Sequence, residues 1–368
     1  MTDRRQHVLF LIPTLTGGGA ERVVVTLIRH LNRLRFRLAL AVVDTRDAAF
    51  LDDVPQDVEF VDLRCARVRY ALPRIARLIW NMRPDVVFST LGHLNLALAM
   101  MRAILPGDVR YVARETTLVT EGLRAYRTAS WWRWAYRRYY SRFDRVVCQS
   151  RSMRDDLIVN FALPHGKAVV VHNPIDIRRV DRLAAEPIAN GHHRSENESA
   201  IIHLVAAGRF KLEKGFDLLI SALALCRDPR LQLTIMGDGP LRATLERLAH
   251  EKGVADQVRI VGFQRNPFPF FAHADAFVLS SRYEGFPNVV LEALACGTPV
   301  IATPAAGGVR EILDGVHGCL IAESISPEAL AAALGSWVEG ARPRIDREVV
   351  RPYQLERIVA QYEKVLAE

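Results

Sequence analysis

Hydrophobic and polar positions alternate along the chain in two recurring patterns. Short runs dominated by apolar side chains fall at residues 7–13, 38–43, 85–89, 109–113 and 145–148. Such runs suit strands buried on both faces of a parallel sheet. Between them apolar residues return at helical spacing, as at Val23, Leu27 and Leu31. The second half repeats the alternation, with strands predicted at 201–206, 231–236, 258–261, 276–279 and 299–302, and helices at 216–226 and 241–252. Strand and helix in alternation predict an α/β protein with two parallel sheets, each covered by helices. Two such sheets joined by a linker leave a cleft beside the carboxyl ends of their strands, where open α/β sheets bind ligands.

His172-Asn173-Pro174-Ile175-Asp176 closes the first half. The polar stretch 184–199, with Asn190-Gly191-His192-His193-Arg194-Ser195, reads as a linker in which both histidines are solvated. The expected division is a first domain over 1–176, a linker over 177–200, a second domain over 201–351, and a terminal amphipathic helix over 352–368. A chain of 368 residues accommodates this. No apolar run approaches the roughly 18 residues that would span a membrane. Arg4 and Arg5 before residues 8–15 imitate a secretory leader, but Pro13 and the following glycines do not make a cleavage site. Five scattered cysteines form no C-x-x-C and no grouping at zinc spacing, so neither a disulfide framework nor a metal site is expected. A cytoplasmic protein fits.

Charge is uneven. Residues 1–176 carry 27 basic against 17 acidic side chains, and the remainder 22 against 24. A basic half calls for anionic partners such as lipid headgroups or a pyrophosphate-bearing acceptor. No zinc-finger, RNP-type or basic-zipper text supports nucleic acid. Residues 131–145 read WWRWAYRRYYSRFDR. Trp132, Tyr136, Tyr139 and Phe143 fall on one helical stripe, with Arg133, Arg137, Arg138 and Arg142 on the other faces. The stripe suits either core packing or contact with an anionic membrane surface.

Two places carry the chemistry. Thr16-Gly17-Gly18-Gly19 lies between the first strand and the first helix, where Gly18 and Gly19 would let backbone approach a phosphate or sugar; a tight turn is the alternative. Glu284-Gly285-Phe286-Pro287-Asn288-Val289-Val290-Leu291-Glu292 holds two carboxylates eight residues apart. Pro287 suits a first helical position, which places Asn288 and Glu292 one turn apart on one face. The N–H groups of residues 286–290 would then be open to an anion, and a carboxylate accepts well from the two hydroxyls of a ribose.

The Glu284/Glu292 spacing and its internal text resemble the E-x7-E motif of retaining glycosyltransferases of the GT-B fold, family 4 type. Gly208-Arg209-Phe210-Lys211-Leu212-Glu213-Lys214-Gly215 resembles that family's G-R-x-x-x-x-K-G text. The clearest text covers about 204–322. The resemblance implies two Rossmann-like domains facing each other across a cleft, the second holding a nucleotide-diphospho-sugar, and the terminal helix packing back on the first. It implies that Arg209 and Lys214 hold the diphosphate, that Glu284 contacts the donor sugar, and that Glu292 holds the ribose. Backbone from Gly237, Gly262, Phe263, Gly285, Phe286, Pro287, Asn288 and Val289 would rim the donor. Retention would proceed by same-face attack without a bound metal or other cofactor. One departure concerns the acceptor. Where many relatives carry a His, this chain reads Val112-Ala113-Arg114-Glu115, so Arg114, Glu115 and His93 become the acceptor-side candidates. The expected reaction moves a sugar, with UDP as the leading carrier, to a lipid-linked or surface-glycan acceptor. A nucleotide-sugar epimerase and a silent nucleotide-binding scaffold stay open beside it.

Overall fold

The computed structural model describes residues 5–124, 126–188 and 201–368. The chain forms two compact units, Met1–Pro174 with Leu355–Glu368, and Ile175–Gln354. The first unit runs β1 (Gln6–Ile12), α1 (Gly19–His30), β2 (Phe36–Val42), β3 (Glu59–Asp62), α2 (Val68–Met82), β4 (Val86–Thr90), α3 (Gly92–Met101), β5 (Arg110–Arg114), α4 (Val119–Arg124), α5 (Ala129–Tyr139), β6 (Arg145–Cys148), α6 (Arg151–Phe161) and β7 (Ala168–Val170). The second runs α7 (Ile177–Ala184), β8 (Ile202–Ala207), α8 (Phe216–Cys226), β9 (Leu231–Met236), α9 (Arg242–Glu251), β10 (Val258–Gly262), α10 (Phe268–His273), β11 (Ala276–Leu279), α11 (Asn288–Ala295), β12 (Val300–Ala302), α12 (Val309–Leu313), β13 (Leu320–Ile321) and α13 (Pro327–Glu339). The last helix, α14 (Leu355–Ala367), belongs to the first unit.

Both sheets are parallel, ordered β3-β2-β1-β4-β5-β6-β7 and β10-β9-β8-β11-β12-β13. The period of two along β1 explains why its whole run is apolar. Leu9 and Leu11 enter one helix-covered layer, while Val8, Phe10 and Ile12 enter the other. α14 closes that second layer with Leu355, Ile358, Val359, Tyr362, Val365 and Leu366. The Tyr362 ring meets Phe88 edge-on at 6.0 Å. Gln6 and Arg110 donate side-chain hydrogen bonds to the Leu366 carbonyl, both at 2.9 Å, which caps the end of α14.

Several expected bounds move. Residues 131–145 are not one helix. α5 stops at Tyr139, a 3-10 turn covers Tyr140–Arg142, and β6 begins at Arg145. The stripe follows the core: Tyr136, Tyr140 and Phe143 are buried and Trp132 packs against them. The stretch expected as a linker from residue 177 instead begins with α7, capped by the Asp176 carboxylate accepting from Arg179 N–H. The cluster at 190–195, with His192 and His193, lies outside the described residues. The terminal helix starts at Leu355, because Arg347–Tyr353 forms a 3-10 segment in the second unit. Among the described residues no helix is long and apolar enough to cross a membrane.

Candidate functional site

At the carboxyl end of β11 the chain enters the loop that carries Glu284. This loop pairs with the one after β12: Glu284 N–H donates to the Ala306 carbonyl at 2.8 Å, and Gly308 N–H to the Gly285 carbonyl at 3.0 Å. The approach is close enough to require glycine. Gly307 has φ +120°, and a methyl there would overlap the Glu284 carbonyl. Gly215 (φ +61°) is constrained in the same way by the Ser280 carbonyl.

The Glu284 carboxylate is buried. Lys214 Nζ donates to its Oε1 at 2.7 Å, and Ser281 Oγ donates to the same oxygen at 2.6 Å. Thr303 Oγ1 donates to the Ser281 carbonyl at 2.5 Å, fixing the serine from below. Two residues expected to contact different parts of a donor therefore meet directly. Arg209, by contrast, is exposed and makes no side-chain hydrogen bond or ion pair among the described residues.

Glu292 is also buried, on α11. That helix starts one residue later than expected: Pro287 is its N-cap, in extended backbone, rather than its first residue. Asn288 and Glu292 remain one turn apart. Of the N–H groups expected to be open, that of Val290 already donates to the Pro287 carbonyl at 3.0 Å. Phe286 is buried and its ring lies 5.6 Å from that of Tyr353. The loops after β8, β9 and β10 are laced by backbone. Gly208 N–H donates to Met236 at 3.0 Å, and Gly237 N–H to Gly262 at 2.8 Å. Phe263, next to Gly262, is 66% exposed.

In the first unit, Gly18 N–H donates to the carboxylate of Glu21, and Thr14 Oγ1 donates to Glu21 at 2.7 Å. A buried anion of the chain itself thus caps the Gly18 end of α1, while Gly19 is exposed. Arg114 and Glu115 sit at the end of β5 but are both fully buried, so neither side chain presents itself to an acceptor. Arg114 Nη2 donates to Asn173 Oδ1 at 2.6 Å, and its Nε donates to Tyr362 Oη at 3.0 Å. Glu115 Oε1 accepts from Asn95 Nδ2 at 3.0 Å, and Asn95 Oδ1 accepts from Ser89 Oγ. Burial pushes the Glu115 pKa up to about 7, against a smaller opposing pull from the Asn95 amide. Of the three acceptor-side candidates only His93, at the start of α3, is exposed. Among the described residues no three His, Cys, Asp or Glu side chains gather as metal ligands.

Sequence reasoning gave no role to Asp217 or to the Glu21 carboxylate. Asp217 and Glu21 each stand in the first turn of a helix, where an acid reads simply as a complement to the helix dipole. Their partners become visible only once the loops are in place.

The chain resembles known proteins over nearly its whole length. Residues 17–179 match the Glycosyltransferase Family 4 model, and residues 192–353 the model for glycosyl transferases group 1. A Campylobacter jejuni N-acetylgalactosamine-N,N'-diacetylbacillosaminyl-diphospho-undecaprenol 4-alpha-N-acetylgalactosaminyltransferase is 26% identical over 350 residues, 92% of each chain. The lipopolysaccharide core biosynthesis glycosyltransferase LpsE of Rhizobium meliloti is 42% identical over 118 residues, 32% of this chain and 34% of that one. Among solved structures, sucrose-phosphate synthase from Thermosynechococcus elongatus superposes with a TM-score of 0.80 at 18% identity, covering 98% of both chains. Anabaena HepE in complex with UDP-glucose gives 0.79 at 17% identity, covering 99% of this chain and 100% of that one. With two Rossmann-like parallel sheets and both halves matched, the chain belongs to the GT-B glycosyltransferases of the family 4 type.

Proposed function

We propose that the protein is a retaining glycosyltransferase that moves a sugar from a nucleoside-diphosphate sugar, with UDP as carrier, to a lipid-linked or surface-glycan acceptor in polysaccharide or lipopolysaccharide assembly. The carrying observation is the Lys214–Glu284 pair at 2.7 Å, in the unit that also carries the exposed Arg209 and the buried Glu292. A departing nucleoside diphosphate gains negative charge as the glycosidic bond breaks. Cations fixed in a water-poor site stabilise that charge more than they stabilise the bound donor. In this reading Arg209 and Lys214 receive the diphosphate, Glu284 orients the sugar, Glu292 accepts from the ribose hydroxyls, and no metal is required.

UDP is favoured because fold neighbours are described with UDP and UDP-glucose. A lipid-linked acceptor is favoured because the Campylobacter relative is named for a diphospho-undecaprenol substrate. His93 is the exposed group left to touch the acceptor. The basic, aromatic face of α5 would rest against an anionic membrane from the cytoplasmic side. The test incubates the protein with UDP- and GDP-sugars, with and without envelope lipid extract and with chelator, and follows nucleoside diphosphate and product anomer. Release that depends on acceptor, survives chelation and preserves the anomer is expected. A rearranged sugar without acceptor would assign an epimerase instead, and binding without turnover a scaffold.

A further inference from the structure

Two loops bring Lys214 and Glu284 together, and a second pair of side chains ties their surroundings. Arg282 lies two residues before Glu284, and Asp217 three residues after Lys214. Arg282 Nη1 and Nη2 donate to the two Asp217 oxygens at 2.8 and 2.6 Å, a forked geometry that Lys cannot reproduce. The same Nη1 donates to the Leu212 carbonyl at 2.7 Å, and Arg282 N–H donates to the Glu213 carbonyl at 2.8 Å. From the other side, Ser280 Oγ donates to the Lys214 carbonyl at 2.9 Å. The contacts engage residues 212, 213 and 214 of one loop, residue 217 in the first turn of the α8 helix that follows it, and residues 280 and 282 of the other loop. Burial alone would raise the Asp217 pKa; the Arg282 fork, together with the backbone N–H groups of Asp217 and Leu218, outweighs it and holds the carboxylate below its usual range.

We propose that Arg282 and Asp217 form a positioning clamp for the donor site, holding the Lys214 loop against the Glu284 loop so that their side chains meet. The clamp rests on the donor-site reading for its use, but not for its geometry. Arg282 is directed into the adjoining loop, so it acts through Lys214 and Glu284. Without the fork, the Lys214 loop is tied to the Glu284 loop by its Ser280 contact, the Arg282 backbone bond and, where Arg282 is kept, the Leu212 carbonyl bond, and Lys214 Nζ leaves Glu284 for water part of the time.

The experiment compares the parent with Arg282→Gln, Arg282→Lys and Asp217→Asn at a temperature below every Tm. Limited acetylation with acetic anhydride, read by mass spectrometry, gives the labelling of Lys214 relative to the exposed Lys252. Calorimetry gives the Kd of UDP and of GDP. The expected result is a severalfold rise in the Lys214:Lys252 ratio for Arg282→Gln and Asp217→Asn, an intermediate rise for Arg282→Lys, and a loss of nucleotide affinity on the order of tenfold in step with it. A general loss of stability would move Tm and leave the ratio unchanged. An unchanged ratio in Arg282→Lys and Asp217→Asn overturns the clamp even if Arg282→Gln fails to fold. If Lys214→Ala binds both nucleotides as tightly as the parent, the donor-site reading fails, while the clamp is still decided by the labelling ratio.

Discussion

Glu284 and Glu115 each stand just beyond the end of a strand, and their partners set them apart. Glu284 meets a cation, whereas Glu115 meets amides and apolar surface. The Glu115 pKa of about 7 lies above its ordinary 4.5, so the folded state holds this proton more tightly than the unfolded chain. Its stabilising contribution is complete below pH 4.5 and is lost as pH rises to about 7. Glu115→Gln keeps an acceptor for Asn95 and cannot ionise. Relative to the parent it should gain stability from pH 5 to 8, by as much as about 3 kcal/mol; parallel Tm profiles would show that no buried carboxyl titrates there. At the proposed donor site, Arg209→Ala and Lys214→Ala should each lower kcat on the order of a hundredfold, with a less than additive double mutant. They should differ in stability. Arg209 is exposed and unpaired among the described residues, so its loss should leave Tm nearly unchanged. Lys214→Ala strands a buried carboxylate and should cost about 1–3 kcal/mol. Equal Tm values for the two would mean that the pair contributes no stability. Glu292→Ala should weaken donor binding with the fold intact, each lost charge-assisted bond being worth roughly 1.5–3 kcal/mol; unchanged calorimetry would remove ribose recognition.

α5 separates its aromatic residues by depth rather than along a single stripe. Tyr136 points into the core, while Trp131 (47% exposed) and Trp134 (53%) remain outside with Arg133 and Arg138. Arg137 is already engaged with the Asn160 carbonyl and Arg142 with that of Met100. The informative substitution is therefore Arg133→Glu with Arg138→Glu, which removes two exposed arginines without disturbing those hydrogen bonds, at the cost of the Arg138 stack on the Tyr139 ring at 5.4 Å. Retention on anionic vesicles should be strong at low salt, fall as salt rises, and fail in the variant; vesicles that never hold the parent would leave α5 as cover for the core. Elements were legible where pattern and burial agree. β11 is a continuous apolar run, β1 is one from Val8 onward, and β9 alternates Leu231, Leu233 and Ile235 with Gln232 and Thr234; the structure finds all three within a residue or so. β3 was missed because Glu59 and Phe60 are exposed, and β13 because two residues carry no period. The end of α5 was misplaced because Tyr139 and Phe143 continue an apolar spacing across a 3-10 turn, which hydrophobicity alone cannot separate from helix.

The two units share one strand order, and even a detail at its base. His7 N–H donates to Asp85 at 2.6 Å in the first, and His203 N–H donates to Asp275 at 2.8 Å in the second. In each, an aspartate just before the fourth strand satisfies the edge of the first. The alternation of elements was legible from sequence because each sheet is buried on both faces. What the apolar pattern alone leaves open is that the first unit is completed by residues 355–368, since an amphipathic helix does not name the surface it covers. Deleting those residues should expose Phe10 and Phe88, leave Arg114 without its Tyr362 partner and destabilise the first unit. The segment 175–354, which has its own core, should still melt cooperatively; a truncated chain with two intact transitions would show that α14 is dispensable. The same threading sets an order on the ribosome. Val8, Phe10 and Phe88 are synthesised early, yet the helix that covers them emerges only after all of residues 175–354. At ordinary elongation rates that interval lasts roughly 10–40 s. Throughout it the part of the first sheet's apolar face which α14 will cover stays open to solvent beside the part covered by α1, a window in which nascent chains can associate through it.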